Sequence, residues 1–203
     1  MSAPDLEGAV AVVGDTGAGK SETLESLRVQ GQDCIREMIT VADDMGSLAV
    51  DKSGRLLGYG TEIGAFLRLD DLQPGYAFGQ IDRSIIMSPN QTNARIVLLV
   101  THFNHVVHGY PVDYILYANN YEDVSTERSV IEPFTHPQQA LKIFKEGTVM
   151  SKGTTTSSGL VQTYFANVFG PLQYREAHDA LADRYFNDFF QKIVICDCIP
   201  ACI

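Results

Sequence analysis

The segment GDTGAGKSE at residues 14–22 constrains the fold of this chain more than any other stretch. It satisfies the pattern G-x-x-x-x-G-K-[ST] through Gly14, Gly19, Lys20 and Ser21. Five apolar residues at 9–13 lead into it. The helix-forming sequence ETLESLRVQ begins at its last residue, Glu22. A strand, a glycine-rich turn and a helix in this order form the setting in which such a loop binds phosphate. The sequence therefore predicts a phosphate-binding loop (P-loop) between a strand at 9–13 and a helix at 20–29.

The residue types of the loop predict how it would bind a nucleotide. Glycines let the backbone turn so that its N–H groups point at phosphate, and the helix that follows adds the positive end of its dipole. Lys20 is expected to reach the β- and γ-phosphates, and the Ser21 hydroxyl is expected to ligate Mg²⁺. A polar segment at 151–160, SKGTTTSSGL, is predicted to be a loop that approaches the ligand. The predicted nucleotide-binding residues are Gly14, Asp15, Thr16, Gly17, Ala18, Gly19, Lys20, Ser21, Glu22 and Thr154.

An acidic pair, Asp43 and Asp44, ends a second predicted strand at 38–42. Carboxylate oxygens are ligands that Mg²⁺ and Mn²⁺ prefer, and a nucleotide site needs an acid that holds its metal. Two adjacent acids by themselves more often mark a solvated turn, so the loop upstream is what favours the metal interpretation. The predicted metal ligands are Ser21, Asp43 and Asp44.

The rest of the pattern predicts an α/β fold with flanking helices around one mixed β-sheet. A β-hairpin is predicted around Asp51-Lys52-Ser53-Gly54 because two apolar runs flank this turn sequence. An antiparallel hairpin argues against a purely parallel, doubly wound sheet. Further strands are predicted at 61–69, 94–103 and 112–120, with 94–103 buried on both faces, and helices at 135–147, with Thr135 as N-cap, and at 175–193. One domain is predicted over 1–203, with 195–203 as a frayed or truncated end.

Three histidines, His102, His105 and His108, recur every three residues. A strand is predicted here, and side chains three residues apart point to opposite faces of a strand. The histidines are therefore predicted to have a structural or surface role. The cysteine-rich sequence CDCIPAC near the C-terminus also fits no zinc-ligand spacing.

Composition limits the classes of partner. The net charge of −10 argues against a broad nucleic-acid surface, because phosphate backbones select for clustered Lys and Arg. It does not argue against a nucleotide, since one loop of N–H groups and one lysine suffice for a triphosphate. No apolar run approaches 18 residues and the first residues lack a signal-peptide pattern, so no membrane span and a cytoplasmic location are expected.

Several stretches resemble a known superfamily. GDTGAGKSE followed by ITVADD is similar to the loop and the acidic strand of bacterial HPr kinase/phosphorylase, and Asp15-Thr16 and Glu22 also follow that enzyme. The later order of segments resembles phosphoenolpyruvate carboxykinase, which shares its core with that kinase. These segments are VADDMGSLAVDKSGRLLGYGTEIGAFLRLDDL, NARIVLL, VDYILYANNY, THPQQALKIFKEGTVMSKGTTTSSGL and FANVFGPL. The resemblance covers about residues 9–190.

The resemblance implies a carboxykinase-like P-loop domain that binds ATP or GTP together with Mg²⁺ and Mn²⁺. It implies that Asp44 is the transition-metal ligand, that Asp43 supports it, and that Arg95 contacts the γ-phosphate side of the nucleotide. Lys20, Asp44 and Arg95 are thus the implied catalytic residues. Glu62 and Arg83 are implied neighbours of the active site.

The chain also departs from the carboxykinase pattern. In that family the substrate-binding half lies upstream of the loop, whereas 13 residues precede Gly14 here. The chain is expected to be either a fragment, with an upstream domain as its partner, or a stand-alone relative with different chemistry.

Three functions stay open at this point. The first is a carboxykinase-like phosphotransferase and lyase that acts on a small, oxaloacetate-like carboxylate. The second is a protein kinase of the HPr kinase type with a protein acceptor. The third is a nucleotide-binding module without turnover.

Overall fold

The computed structural model describes residues 7–15, 17–68, 85–87, 95–122, 129–151, 159–166, 172–192 and 194–198. The chain divides into two compact units: the first unit comprises 1–20 and 112–203, and the second comprises 21–111. The prediction of one domain over 1–203 concerns the relation between these units and stays a prediction.

The described residues form a mixed α/β structure, as the sequence predicts, but in several small sheets and not around one. The strands are β1 (Val10–Val13), β2 (Gly46–Val50), β3 (Leu56–Gly60), β4 (Gly64–Arg68), β5 (Ile85–Met87), β6 (Arg95–Leu99), β7 (Tyr110–Pro111), β8 (Tyr114–Ala118), β9 (Ile131–Pro133), β10 (Thr148–Ser151), β11 (Gly159–Gln162) and β12 (Val194–Cys198). The α-helices are α1 (Lys20–Gln30), α2 (Phe103–His108), α3 (Pro137–Glu146) and α4 (Arg175–Phe189), and short 3₁₀ turns lie at Gly31–Asp33 and Leu172–Tyr174. Among the described residues, no helix has the length and apolar character needed to cross a bilayer.

The main sheet of the first unit has the strand order β1-β8-β12-β9. Strand β8 pairs in parallel with both β1 and β12, and β9 pairs antiparallel with β12, so this sheet is mixed. The predicted frayed end at 195–203 differs from the structure over 195–198, because β12 occupies an interior position with Ile195 opposite Ile115. Ile195 is buried there, and burial of an apolar side chain between two strands stabilises a terminal segment. Residues 199–203 lie outside the described part.

Helices α3 and α4 supply the aromatic core of the first unit. The ring of Phe144 lies 5.3 Å from the ring of Tyr117 and 5.1 Å from that of Phe186, and all three residues are buried. The Tyr117 hydroxyl donates a 2.6 Å hydrogen bond to the carbonyl of Thr148, so the buried tyrosine is satisfied. Both helices were predicted from their apolar spacing, and both form.

The N-cap of α3 differs from the prediction. The helix begins at Pro137 with His136 in the N-cap position, where its side chain makes no capping hydrogen bond, so Thr135 is not the cap. Proline is favoured at the first helical position because its fixed φ suits a helix and its missing N–H would have no partner there.

The second unit contains two small antiparallel sheets, β2-β3-β7 and β4-β6-β5. The predicted hairpin forms between β2 and β3. At its turn the Asp51 carboxylate accepts hydrogen bonds from the Ser53 hydroxyl at 2.6 Å and from the backbone N–H of Arg55 at 2.9 Å. These bonds, with that of the Ser53 hydroxyl as the strongest cause, hold the pKa of Asp51 far below its usual value. The turn sequence is thus held by its own side chain, which explains why it could be predicted locally.

Three local predictions for the second unit are wrong. No strand forms over 38–42, where the carbonyl of Val41 lies so close to Gly60 that a Cβ on Gly60 would approach it to 2.1 Å. The apolar run at 94–103 forms β6 only as far as Leu99, and Leu99 is 54% exposed, so this strand is not buried on both faces.

The third wrong prediction concerns the histidines, because 103–108 form α2 and not a strand. The helix buries Val106 and ends at Gly109, whose φ is 76°. His105 Nδ1 lies 2.7 Å from the hydroxyl of Tyr110, which gives this histidine a hydrogen-bond partner. The structural or surface role predicted for the three histidines stays a prediction.

Candidate phosphate-binding loop and acidic pair

The glycine-rich loop of the first unit connects β1 to the first residue of α1, as the sequence predicts. Gly17 and Gly19 have φ values of 85° and 88°, in the left-handed region that side-chain-bearing residues avoid. The N–H of Ala18 donates to the carbonyl of Asp15 at 3.0 Å and closes a turn between them. The backbone conformation at these two positions therefore explains why both are glycine.

The start of the loop packs tightly against the end of β8. Gly14 is buried, and a Cβ built on it would lie 3.0 Å from the carbonyl oxygen of Ala118 and 3.0 Å from the Cβ of Ala18. Ala18 and Ala118 are themselves buried, with Val12 and Leu116 packed against them. Only a residue without a side chain fits at Gly14 unless its neighbours move, so the loop backbone packs directly against the end of β8.

The Lys20 side chain folds back over the loop. Its Nζ donates hydrogen bonds to the carbonyl oxygens of Gly14 at 2.7 Å and Asp15 at 3.2 Å. An ammonium group is a compact point charge on a flexible stem, and phosphate oxygens are stronger acceptors for it than neutral carbonyls. The loop therefore carries a positive charge at the place where the motif predicts phosphate.

Two side chains that the sequence analysis did not identify contact the loop within the first unit. Asn120 Nδ2 donates to the carbonyl of Gly17 at 2.9 Å, and the Thr163 hydroxyl donates to Asp15 Oδ2 at 2.8 Å. A signal for Asn120 was present, since it follows the apolar strand β8 by two residues and polar residues at strand ends are frequent in sites. Thr163 had no comparable signal in the sequence.

In the second unit, two of the three predicted metal ligands lie together. The Ser21 hydroxyl donates a 3.2 Å hydrogen bond to Asp43 Oδ2, and both residues are half-buried, whereas Asp44 is exposed. A serine hydroxyl beside a carboxylate is a donor set that suits Mg²⁺, which keeps several waters and takes few protein ligands. In the described ranges no group of three or more His, Cys, Asp or Glu side chains is arranged to hold a metal ion. The Ser21–Asp43 pair thus fits a cation whose other ligands are water or phosphate oxygens.

Glu62, which the resemblance places near the site, is electrostatically coupled to this acidic pair. Its Oε1 atom is buried and has no hydrogen-bond partner among the residues that the structure describes. Burial is the main cause that raises the pKa of Glu62, the negative charges of Asp44 and, less strongly, Asp43 raise it further, and a hydrogen bond from the Met45 backbone N–H opposes them. In the folded second unit, ionisation of the Glu62 carboxyl is therefore less favourable than in the unfolded chain.

Replacing Glu62 by glutamine is expected to raise the melting temperature at pH 7 by roughly 2 °C. Because the folded-state pKa of Glu62 lies above its unfolded value, the wild type loses stability as the pH rises through that range, and the amide does not. The gain should vanish near pH 4, where the wild-type carboxyl is protonated. Thermal unfolding followed by circular dichroism from pH 4 to 8 measures this. The exposed Glu37→Gln in the same unit is the control and should show no such trend, and an equal gain at every pH would contradict the assignment.

The remaining predicted residues are only partly described. Thr16, Arg83 and Thr154 lie outside the described residues, and the side chains of Glu22 and Arg95 are also outside the described part. The backbone of Arg95 begins β6, where it pairs with Arg68 of β4 and Met87 of β5. The roles of these five residues stay predictions.

Comparison with protein-family models and with curated proteins found no match to this sequence. The resemblance to carboxykinases and HPr kinases therefore stays a prediction.

Proposed function

We propose that this chain binds a purine nucleoside triphosphate, ATP or GTP, with Mg²⁺ or Mn²⁺, and transfers its γ-phosphoryl group as phosphoenolpyruvate carboxykinases do. The observation that carries the proposal is the position of Lys20. Its ammonium group lies against the carbonyls of Gly14 and Asp15, in a loop that two left-handed glycines turn between a strand and a helix. This geometry supports binding of an anion with several oxygens, because amides, helix dipole and ammonium all favour negative charge at the loop.

The proposal gives the residues of each unit their own role. In the first unit, the loop amides would hold phosphate oxygens while Lys20 exchanges its carbonyl partners for the β- and γ-phosphates. In the second unit, the Ser21 hydroxyl and the Asp43 carboxylate would hold the divalent cation, with Asp44 as the further ligand that the resemblance implies. When bound, the cation would neutralise charge on the transferred group.

Phosphoryl transfer asks the protein mainly for position and charge, and little covalent chemistry. Lys20 supplies one of the two positive side chains in the proposal, and Arg95 is the other. The acceptor would be a small carboxylate substrate such as the enolate that oxaloacetate leaves on losing CO₂. An upstream domain would supply the groups that bind this acceptor.

A second candidate function is a protein kinase of the HPr kinase type, and Glu62 is the observation that favours it. A carboxyl with a raised pKa and an unsatisfied buried oxygen suits a general base that accepts a proton from a serine hydroxyl of a protein acceptor. The third function, nucleotide binding without turnover, makes no use of this group.

Calorimetric titration of the purified chain with ATP and with GTP, each with and without Mg²⁺ or Mn²⁺, tests the proposal. Binding of a triphosphate that the metal strengthens is expected. Absence of any binding would contradict the proposal and both alternatives. Transfer of labelled γ-phosphate to an oxaloacetate-derived product supports the carboxykinase reaction, transfer to a seryl protein supports the kinase, and binding without transfer supports the module.

Asp43→Asn is expected to weaken binding of ATP in the presence of Mg²⁺ roughly tenfold while leaving binding in the presence of a chelator unchanged. The amide keeps the shape of the side chain and can still accept from Ser21, but it lacks the charge that attracts a divalent cation. The control is Asp33→Asn, which removes the same charge from an exposed position of the same unit. Equal losses with and without metal would mean that Asp43 does not hold the cation.

A further inference from the structure

We propose that Asn120 and Thr163 are positioning residues that fix the phosphate-binding loop in the shape that receives phosphate, Asn120 through Gly17 and Thr163 through Asp15. The inference deepens the proposed function and rests on it. All the residues involved belong to the first unit.

Asn120 joins the loop to strand β10. Its Nδ2 donates to the carbonyl of Gly17 at 2.9 Å and to that of Met150 at 3.1 Å, while its Oδ1 accepts from the N–H of Met150 at 2.7 Å. Three of the four hydrogen bonds that an asparagine amide can make are therefore used in one bridge. The bridge holds the carbonyl of Gly17, a residue with a left-handed φ, in a fixed direction.

Thr163 holds the other side of the loop. Its hydroxyl donates to Asp15 Oδ2 at 2.8 Å and also lies 3.1 Å from the carbonyl oxygen of Gly147, which in turn accepts from the Thr163 N–H at 3.1 Å. A hydrogen bond to a carboxylate is stronger than one between neutral groups. The orientation of Asp15 matters because a negative charge in an anion-binding loop opposes phosphate, and the Thr163 hydroxyl binds one oxygen of that carboxylate.

The turn that carries Thr163 is strained, which indicates that its position is not incidental. Phe165 and Ala166 have φ values of 46° and 54°, which side-chain-bearing residues rarely adopt. Such conformations persist only where surrounding contacts hold them, and they concentrate at functional sites.

One residue that anchors this turn is Tyr164, which lies between Thr163 and the two strained positions. Its hydroxyl donates to Asp179 of α4 and lies 2.9 Å from His178 Nδ1. Burial, and then the bond to Asp179, raise the pKa of Tyr164 to about 12, so the hydroxyl keeps its proton and continues to donate even in mildly alkaline solution. The turn is thus anchored to α4 on one side while Thr163 reaches the loop on the other.

The test compares Thr163→Val, which removes the hydroxyl and keeps the shape, with Thr163→Ser, which restores it. Two quantities are measured: hydrogen exchange of the amides of 14–20 in the free chain, and the dissociation constant of ATP with Mg²⁺. The valine variant is expected to exchange faster and to bind ATP roughly tenfold more weakly, and the serine variant is expected to match the wild type in both. Thr135→Val, at an exposed position of the same unit, is the control for the loss of a hydroxyl.

Asn120→Asp gives a second measurement, because the carboxylate keeps the acceptor for the N–H of Met150 but loses the donor to the carbonyls of Gly17 and Met150. It is expected to speed exchange and to weaken ATP binding by a similar factor. Wild-type affinity in both Thr163→Val and Asn120→Asp would overturn this inference and leave the proposed function intact. If the wild type binds no ATP, the proposed function fails. Unchanged hydrogen exchange of the loop amides in both variants would separately overturn the inference that Asn120 and Thr163 fix the loop.

Discussion

Replacing Lys20 by alanine is expected to lower the affinity for ATP by more than about a hundredfold, since two hydrogen bonds from a charged donor contribute about 1.5–3 kcal/mol each. The ammonium group already lies 2.7 Å from the carbonyl of Gly14 and 3.2 Å from that of Asp15, so it needs no large movement to meet phosphate oxygens at the loop. The fold should survive, because Lys20 is the first residue of α1 and alanine is the best helix former. Calorimetric titration with ATP and Mg²⁺ measures the affinity, and circular dichroism reports the fold.

The control is Lys52→Ala, which removes the same charge from an exposed position in the turn between β2 and β3. In a chain of net charge −10, the loss of any cation strengthens the general repulsion of ATP, and Lys52→Ala measures that part alone. Lys20→Arg adds a second comparison, since a planar guanidinium is larger and does not replace a point charge inside a tight loop. Equal affinities for wild type and Lys20→Ala would contradict the assignment of Lys20 to the phosphates of ATP.

The features that could be predicted from the sequence are those whose causes are local. β1, the glycine turn and α1 follow from a motif whose glycines have backbone reasons, since Gly14 has little room for a Cβ and Gly17 and Gly19 adopt the left-handed conformation that only glycine takes easily. The hairpin at Asp51 is equally local, because that carboxylate binds the backbone of residues two and four positions further on. Ser21 and Asp43 were predicted as metal ligands, and the structure shows a hydrogen bond between their side chains, while the metal role stays a prediction.

The features that could not be predicted depend on distant partners. Strand β12 forms at the end of the chain because β8, about eighty residues earlier, and β9 lie on its two sides, and no local pattern reveals such a pairing. The six residues of α2 are too few for the helical period to be told from a strand, so the histidine spacing was assigned to the wrong element. Thr163 is separated from Asp15 by 148 positions, and its role became visible only through the contact.

Gly147→Ala is expected to destabilise the first unit by about 3 kcal/mol, which combines about 1–2 kcal/mol for a left-handed conformation with about 1–3 kcal/mol for overpacking. Gly147 ends α3 with φ 58° and ψ 46°, and its N–H donates to the carbonyl of Ile143. A Cβ at this position would lie 1.6 Å from the carbonyl oxygen of Thr163 and 2.8 Å from the N–H nitrogen of Ala166. Backbone atoms cannot rotate away as a flexible side chain can, so either the helix end or the turn at 163–166 must move.

Gly159→Ala is the matched control, because Gly159 has a φ of 84° but a Cβ built on it meets no atom within 4 Å. It should therefore cost only the conformational part, about 1–2 kcal/mol. Urea unfolding followed by circular dichroism measures both variants, and a lower midpoint with an unchanged slope reports lost stability. The difference between the two variants isolates the collision with Thr163, and equal losses would contradict it. Because the collision displaces the residue that holds Asp15, Gly147→Ala should also speed hydrogen exchange of the loop at 14–20, whereas Gly159→Ala should leave that exchange unchanged.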